Sequence, residues 1–298
     1  MMTKKRKNKI KSENIIFDII NVLLMLGLIV ITLYPLLYVV FASLSEPGEL
    51  MKNSGFLFSP AGFSWEGYKA VLSDPEILTG YYNTIVNTSL GTVLSLLVTL
   101  MLAFALSRKK MYNSKLIMKL IVFTMYFGGG MIPTYLVVRG VGLINTRWAM
   151  ILPVLLSTYN FIVMRTACMA IPDAMEESAQ LDGASDWTVL FKIYMPLLKP
   201  TIAVIALFYG SGYWNAWFSA MMYVKDRSLF PLQLILREIL IEQQTNEAVL
   251  DAGAGQGAAL EEVVKYATIV VATVPILTIY PFLQKYFVKG AMIGAVKG

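Results

Sequence analysis

Long apolar runs alternate with short polar stretches along this chain. Six runs, Ile19 to Ala42, Asn83 to Ser107, Leu116 to Val138, Trp148 to Met164, Thr201 to Met222 and Tyr266 to Leu283, come near the roughly 20 residues that a helix needs to cross hydrocarbon. The pattern therefore predicts an all-α integral membrane protein with six transmembrane helices. Pro35, Pro133, Pro153 and Pro275 fall inside four of the runs. Packed membrane helices tolerate this because neighbours satisfy the freed carbonyls, and kinks are expected there. The first run follows a basic N-terminus but is too long for the apolar part of a secretion signal. No small-x-small cleavage site follows it, so it reads as a retained first span.

The polar stretches carry their own signals. Residues 172–196, PDAMEESAQLDGASDWTVLFKIYMP, separate the fourth and fifth runs. Asp173 is placed to cap a helix, with Glu176 three residues on completing a capping box. Gly183 allows a sharp turn, Ser185 can cap a second short helix, and Pro196 is expected to end it. Further on, Leu232, Ile235, Leu236, Ile239 and Leu240 recur at helical spacing, which predicts a helix lying along the membrane surface or against a partner. The stretch DAGAGQGAA after it is a small-residue linker. It is not a phosphate loop, because no strand precedes it and no Gly-Lys-Ser/Thr follows. FGGGM at 127–131 fits a flexible or closely packed helix start.

Composition agrees with the membrane reading: 57% of the 298 residues are hydrophobic and 15% charged, against roughly 25% in soluble domains, and mean hydropathy is +0.63. The net charge of +6 could suggest nucleic acid, but in a chain of membrane spans its distribution matters more than its sum. Lys and Arg number six in the N-terminal tail, five over 108–119, three over 165–199 and three over 285–297, leaving eight in the alternate loops. The positive-inside rule then puts both termini and residues 172–196 in the cytoplasm, with the lipid bilayer as partner and no nucleic acid. The expected organisation is a basic tail (1–18), a first span with an external loop (19–82), a core (83–288) containing the 172–196 element, and a C-terminal tail (289–298).

Chemistry is sparse. Cys168 is the one cysteine, a bystander, and there is no histidine. Lys119 is the one ionisable residue placed inside a run, and ion-coupled carriers keep buried acids for that work, so an ion-coupled secondary transporter is the disfavoured alternative. No Walker A, metal cluster or nucleophile–base pair is present, which excludes ATP hydrolysis by this chain and implies that it holds no cofactor. Energy has to enter from outside, and 172–196 is where a motor could act.

Glu177-Ser178-Ala179, three residues, Gly183, nine residues, Ile193-x-Met195-Pro196 resembles the EAA motif of ABC importer permeases. Ser178 and Met195 stand where alanine and leucine are usual, both conservative in size. The flanks DGAS (182–185) and PLLKP (196–200), and the tail QKYFVKGAMIGAVKG (284–298), resemble more narrowly the carbohydrate permeases of the MalG and LplC type. The resemblance implies the type I importer, MetI-like fold with a cytoplasmic coupling helix at 172–196. It also implies a second, MalF-like permease, two ATPase subunits that bind ATP and magnesium, an external sugar-binding protein, and a place in the bacterial cytoplasmic membrane. By position, Glu177 would meet a basic residue of the ATPase groove, Ala179 would permit close packing, Gly183 would hold the bend, and Asp182, Ile193 and Pro196 would complete the element. Lys297 and Gly298 would make a second ATPase contact. Against this stands the plainer reading of Glu176 and Glu177 as a solvated acidic face, with Glu176 a capping residue. Tyr213, Trp214 and Asn215, with Tyr209 and Trp217 nearby, could line a sugar path; an interfacial aromatic belt explains them more simply. For Asn83, Asn87, Thr88 and Asn160 the default is hydrogen bonding between helices, with Asn87 and Asn160 also candidates for the path.

Overall fold

The computed structural model describes residues 3–53, 55–109, 111–250 and 256–295, with side chains for most of them. In chain order the elements are α1 (Thr3–Ser43), α2 (Pro47–Lys52), α3 (Glu66–Ser73), α4 (Pro75–Ser107), α5 (Ser114–Tyr126), α6 (Met131–Gly140), α7 (Trp148–Ile151) continuing into a 3-10 turn (Leu152–Val154), α8 (Thr158–Met169), α9 (Asp173–Leu181), α10 (Asp186–Thr188), a π turn (Val189–Tyr194), α11 (Met195–Leu197), α12 (Lys199–Trp214), α13 (Trp217–Tyr223), a 3-10 turn (Arg227–Leu229), α14 (Leu232–Leu250) and α15 (Gln256–Ala295). Among the described residues the sole β feature is an isolated bridge between Ser45 and Phe63.

Two helices are long and apolar enough to span a bilayer unbroken, Phe17–Ser43 within α1 and Pro75–Ser107. The apolar window of the first has no buried residue, a composition and exposure suited to lipid; more than a third of the second is buried.

Three expected spans are broken rather than continuous. The third bends by 117° between α5 and α6, where Gly130 sits at the N-terminus of α6 with φ +85°, a conformation open to glycine. The fourth bends by 53° after the 3-10 turn that contains Pro153. The fifth stops at Trp214 and resumes at Trp217. Residues of the sixth lie within α15, which contains Pro275 and Pro281.

The chain forms two compact units. In the first, residues through Ser73 join 242–271, and Ala42, Leu50, Leu57 and Val263 make a small core flanked by Tyr38 and Tyr266. Gly67 allows close approach there: a Cβ at this position would come within 2.7 Å of Val263.

In the second unit α4 packs against α8 and α12 over a core that includes Leu100, Phe104, Phe161, Met164, Val189, Leu190, Ile205 and Tyr209. Hydroxyl pairs set the register of this contact. Ser95 and Thr99, one turn apart on α4, share hydrogen bonds with Tyr213 (2.9 Å) and Tyr209 (2.8 Å), one turn apart on α12. Each pair satisfies polar groups that would otherwise be buried at a cost. Gly91 makes room for the Tyr213 ring, which lies 2.7 to 2.8 Å from where a Cβ would stand.

The amphipathic 232–240 stretch forms the start of α14, but its apolar face is turned inward. Leu232, Leu234, Ile235 and Leu236 are buried, Ile235 and Leu232 approach Gly80 of α4, and Leu232 N donates to Thr84 Oγ1 at 2.8 Å. The expected surface helix is therefore, in this part, a packing element. Of the linker, residues 251–255 lie outside the described residues.

Candidate functional site

The 172–196 segment folds as a helix, a bend and a second helix, and its bend explains the motif spacing. Gly183 N donates to Gln180 O (3.0 Å) and Ala184 N to Ala179 O (2.9 Å), with Gly183 at φ +77°. These two bonds form a Schellman motif, which needs a left-handed residue two places past the last helical one. Ala179 and Ala184, the two residues that the second bond joins, both pack against the core, so a small residue at 179 lets the helix end approach it. Ser185 then caps the next turn by accepting from Thr188 N at 3.3 Å, as expected.

The capping box is not formed. Pro172 occupies the N-cap and Asp173 lies in the first turn. Both acids are instead drawn to basic residues just past α4. Arg108 Nη2 lies 2.6 Å from Glu176 Oε1 and 2.8 Å from Asp186 Oδ1, and Lys109 pairs with Asp173. Glu176 Oε2 also accepts from the Tyr194 hydroxyl at 3.2 Å, and Arg108 stacks on Phe104 at 4.5 Å from the ring centre. The Arg108 and Glu176 side chains are 18% and 17% exposed, and Lys109 is 83% exposed, so the first pair is much less screened than the second.

Burial alone would weaken the Arg108 charge, but the carboxylates of Asp186 and Glu176 in contact with it outweigh this and hold the guanidinium above its ordinary range. The hydrogen bond that Lys109 donates to Asp173, followed by the charge of that carboxylate, raises Lys109 likewise.

A cavity of about 520 Å³ opens beside this cluster, lined by Arg108, Lys109, Cys168, Asp173, Glu176 and Glu177 among others. Glu177 is exposed on it with no ion pair among the described residues. Nothing of the chain lies within 4 Å of a Cβ built at Gly183, and Leu181 beside it is 89% exposed.

Pro196 does not end the second helix, which runs on to Leu197 before an 84° bend into α12. Its lost N–H and its ring would disturb Lys192, four residues back, and that residue lies in the wide π turn. Val189, Leu190 and Tyr194 of the turn are buried and Ile193 packs on the core.

Over residues 1–292 the chain matches the family described as binding-protein-dependent transport system inner membrane component. The chain belongs to this family. The permease is 40% identical to protein LplC of Bacillus subtilis (strain 168) over 289 residues, 95% of each chain. It is 37% identical to the polygalacturonan/rhamnogalacturonan transport system permease protein YtcP of the same strain, covering 96% of this chain and 100% of that one. In structure it is similar to a chain of a bacterial ABC transporter involved in the import of the acidic polysaccharide alginate, with a TM-score of 0.84 and 33% identity, covering 92% of this chain and 98% of the other. The helical importer-permease fold expected from the sequence is the one observed.

The residues suggested for a sugar path converge only in part. Tyr213 and Asn160 line a second cavity of about 510 Å³ with Tyr159, Phe208, Tyr209 and Ser157. Trp214 is buried and donates Nε1–H to Ala272 O at 3.3 Å, and Asn215 donates back to Ser211 O within its own helix end.

Asn87 belongs to a polar cluster instead. Its Oδ1 accepts from Arg147 at 2.8 Å, while Asn83 accepts from the same guanidinium at 2.9 Å and donates to Ser228 O and Phe230 O. The expected hydrogen bonding between elements is thus found at Asn83 and Asn87. Thr88 departs from it, its hydroxyl being buried without a partner. Lys297 and Gly298 lie outside the described residues.

Sequence reasoning missed Arg108, Arg147, Tyr159 and Phe208. The first two stood in loops as topological charges, and no local signal marks their partners, which lie about 60 or more residues away.

Proposed function

We propose that this permease is the transmembrane pore subunit of an ATP-driven importer for an oligosaccharide. It works with a second permease, two cytoplasmic ATPase subunits that bind and hydrolyse ATP, and an external sugar-binding protein. Both termini and residues 172–196 face the cytoplasm. The observation that carries the reading is the capped element at 173–188, which keeps Glu177, Leu181 and the Gly183 bend open to a partner while Ala179 and Ala184 anchor it to the core. The polygalacturonan/rhamnogalacturonan permease and the alginate importer among this chain's relatives support the substrate class. Closure of the ATPase subunits would push this element as a lever, and the spans would pass between outward and inward access, a two-state change biased by nucleotide.

Glu177→Lys reverses the exposed charge and Gly183→Asp puts a side chain where the chain itself leaves open space. Both variants are expected to insert in the membrane at normal levels yet lose uptake of labelled oligosaccharide and retention of the ATPase subunits on purification. Normal uptake by both would sink the coupling role.

A further inference from the structure

The two carboxylates that meet Arg108 come from opposite sides of the Gly183 bend. Glu176 belongs to the arm before it and Asp186 to the arm after it, and both approach the same Nη2 at 2.6 and 2.8 Å. Arg108 itself is the residue that closes α4, extended at φ −74° and ψ 133°. One guanidinium therefore joins three elements: the end of α4, α9 and α10. Phe104 one turn earlier supports it, and Tyr194 fixes the far side of Glu176. The bend it bridges has no side chain at its apex and no packing within 4 Å of where one would be. The backbone bonds of the bend fix α9 to residue 184, and the buried Val189, Leu190 and Tyr194 seat the arm after it in the core; α9, whose own residues are half-buried or exposed, is held to that arm at the solvent side by this charge cluster. The exposed Lys109–Asp173 pair adds little, because solvent-exposed pairs contribute little.

We propose that Arg108 is the positioning residue that makes the coupling element rigid and ties it to α4, so that a displacement applied to either arm is passed to that helix. Without it, Glu176 and Asp186 would be left as two like charges facing each other and the bend would act as a loose hinge. The transport part of this inference rests on the function proposed above; the rigidity part does not.

Rigidity is tested on the full chain alone in lipid nanodiscs. Spin labels are placed at the exposed Met175 and Lys192, with Cys168 replaced by serine, and the distance between them is measured by pulsed electron resonance. Arg108→Gln is expected to at least double the width of the distance distribution, with Arg108→Lys between it and the parent. An unchanged distribution in Arg108→Gln overturns the proposal.

In the assembled importer, Arg108→Gln is expected to keep the ATPase subunits and their basal hydrolysis while transport falls at least tenfold. Transport above half the parent rate overturns the proposal, and so does loss of the ATPase subunits in both Arg108 variants, which would make the residue a docking or folding group. A parent complex that carries no ATPase subunits would refute the functional reading and leave the distance experiment to decide this one.

Discussion

Tyr213 shows how little freedom a buried ring has when its hydroxyl is fixed. That hydroxyl shares a bond with Ser95 and donates to Ile151 O at 3.3 Å, so the ring cannot swing away from Gly91. Gly91→Ala is expected to lower stability by about 1–3 kcal/mol, the usual cost of overpacking. A thermal-shift measurement of the detergent-solubilised protein checks this. Gly27, with nothing within 4 Å of an added Cβ, is the control. There Gly27→Ala should be neutral or stabilising by up to about 1 kcal/mol, since alanine is the better helix former.

At the scale of elements, the 172–196 segment separates what is local from what is not. Its bend is a local object, set by two backbone bonds and one left-handed residue, and the placing of Gly183 in the sequence was enough to predict it. A left-handed residue with a Cβ costs roughly 1–2 kcal/mol, least for Asn. Gly183→Val is therefore expected to open residues 173–188 to amide hydrogen exchange at least about fivefold more than Gly183→Asn. Equal exchange in the two variants would contradict the assigned conformation.

The roles of Asp173 and Glu176 were not legible, because a carboxylate three residues into a helix looks the same whether it caps or pairs. Their partners Arg108 and Lys109 come from the end of α4, more than 60 residues earlier. The apolar runs were legible as membrane-class segments, and FGGGM and Pro153 marked where two of them break, but not how sharply. Hydropathy has no entry for Gly130 at φ +85° or for the stop at Asn215. The apolar stripe of α14 was read correctly as a face; its expected cover was the membrane surface or a partner, and at 232–236 it is α4 of the same chain, since periodicity does not say what covers a face.

Across the second unit, Asn83 joins segments about 60 and 145 residues away. It accepts from Arg147 and donates to the carbonyls of Ser228 and Phe230. Asn83→Leu would leave those carbonyls short of a donor and remove one of the acceptors of a half-buried guanidinium. The expected loss is about 2–4 kcal/mol, since each unsatisfied buried group costs about 1–3 kcal/mol. It would be read as a drop in melting temperature with helicity unchanged. This network also shows why a hydropathy profile underrates such residues: one asparagine in an apolar run is scored as a small penalty, yet it holds a loop and a helix start to α4.

The π turn at 189–194 changes what the nine-residue gap between Gly183 and Ile193 means. A wide turn accommodates one residue more than the same length of α-helix, so the gap is a rotational phase setting and not a spacer. Removing a single residue there would let the turn close to an ordinary α-turn, whereas adding one more would turn everything downstream by about 100°. Tyr209 and Tyr213 would then face away from Thr99 and Ser95, and a 172–196 element seated as before would lead into a helix aimed in the wrong direction.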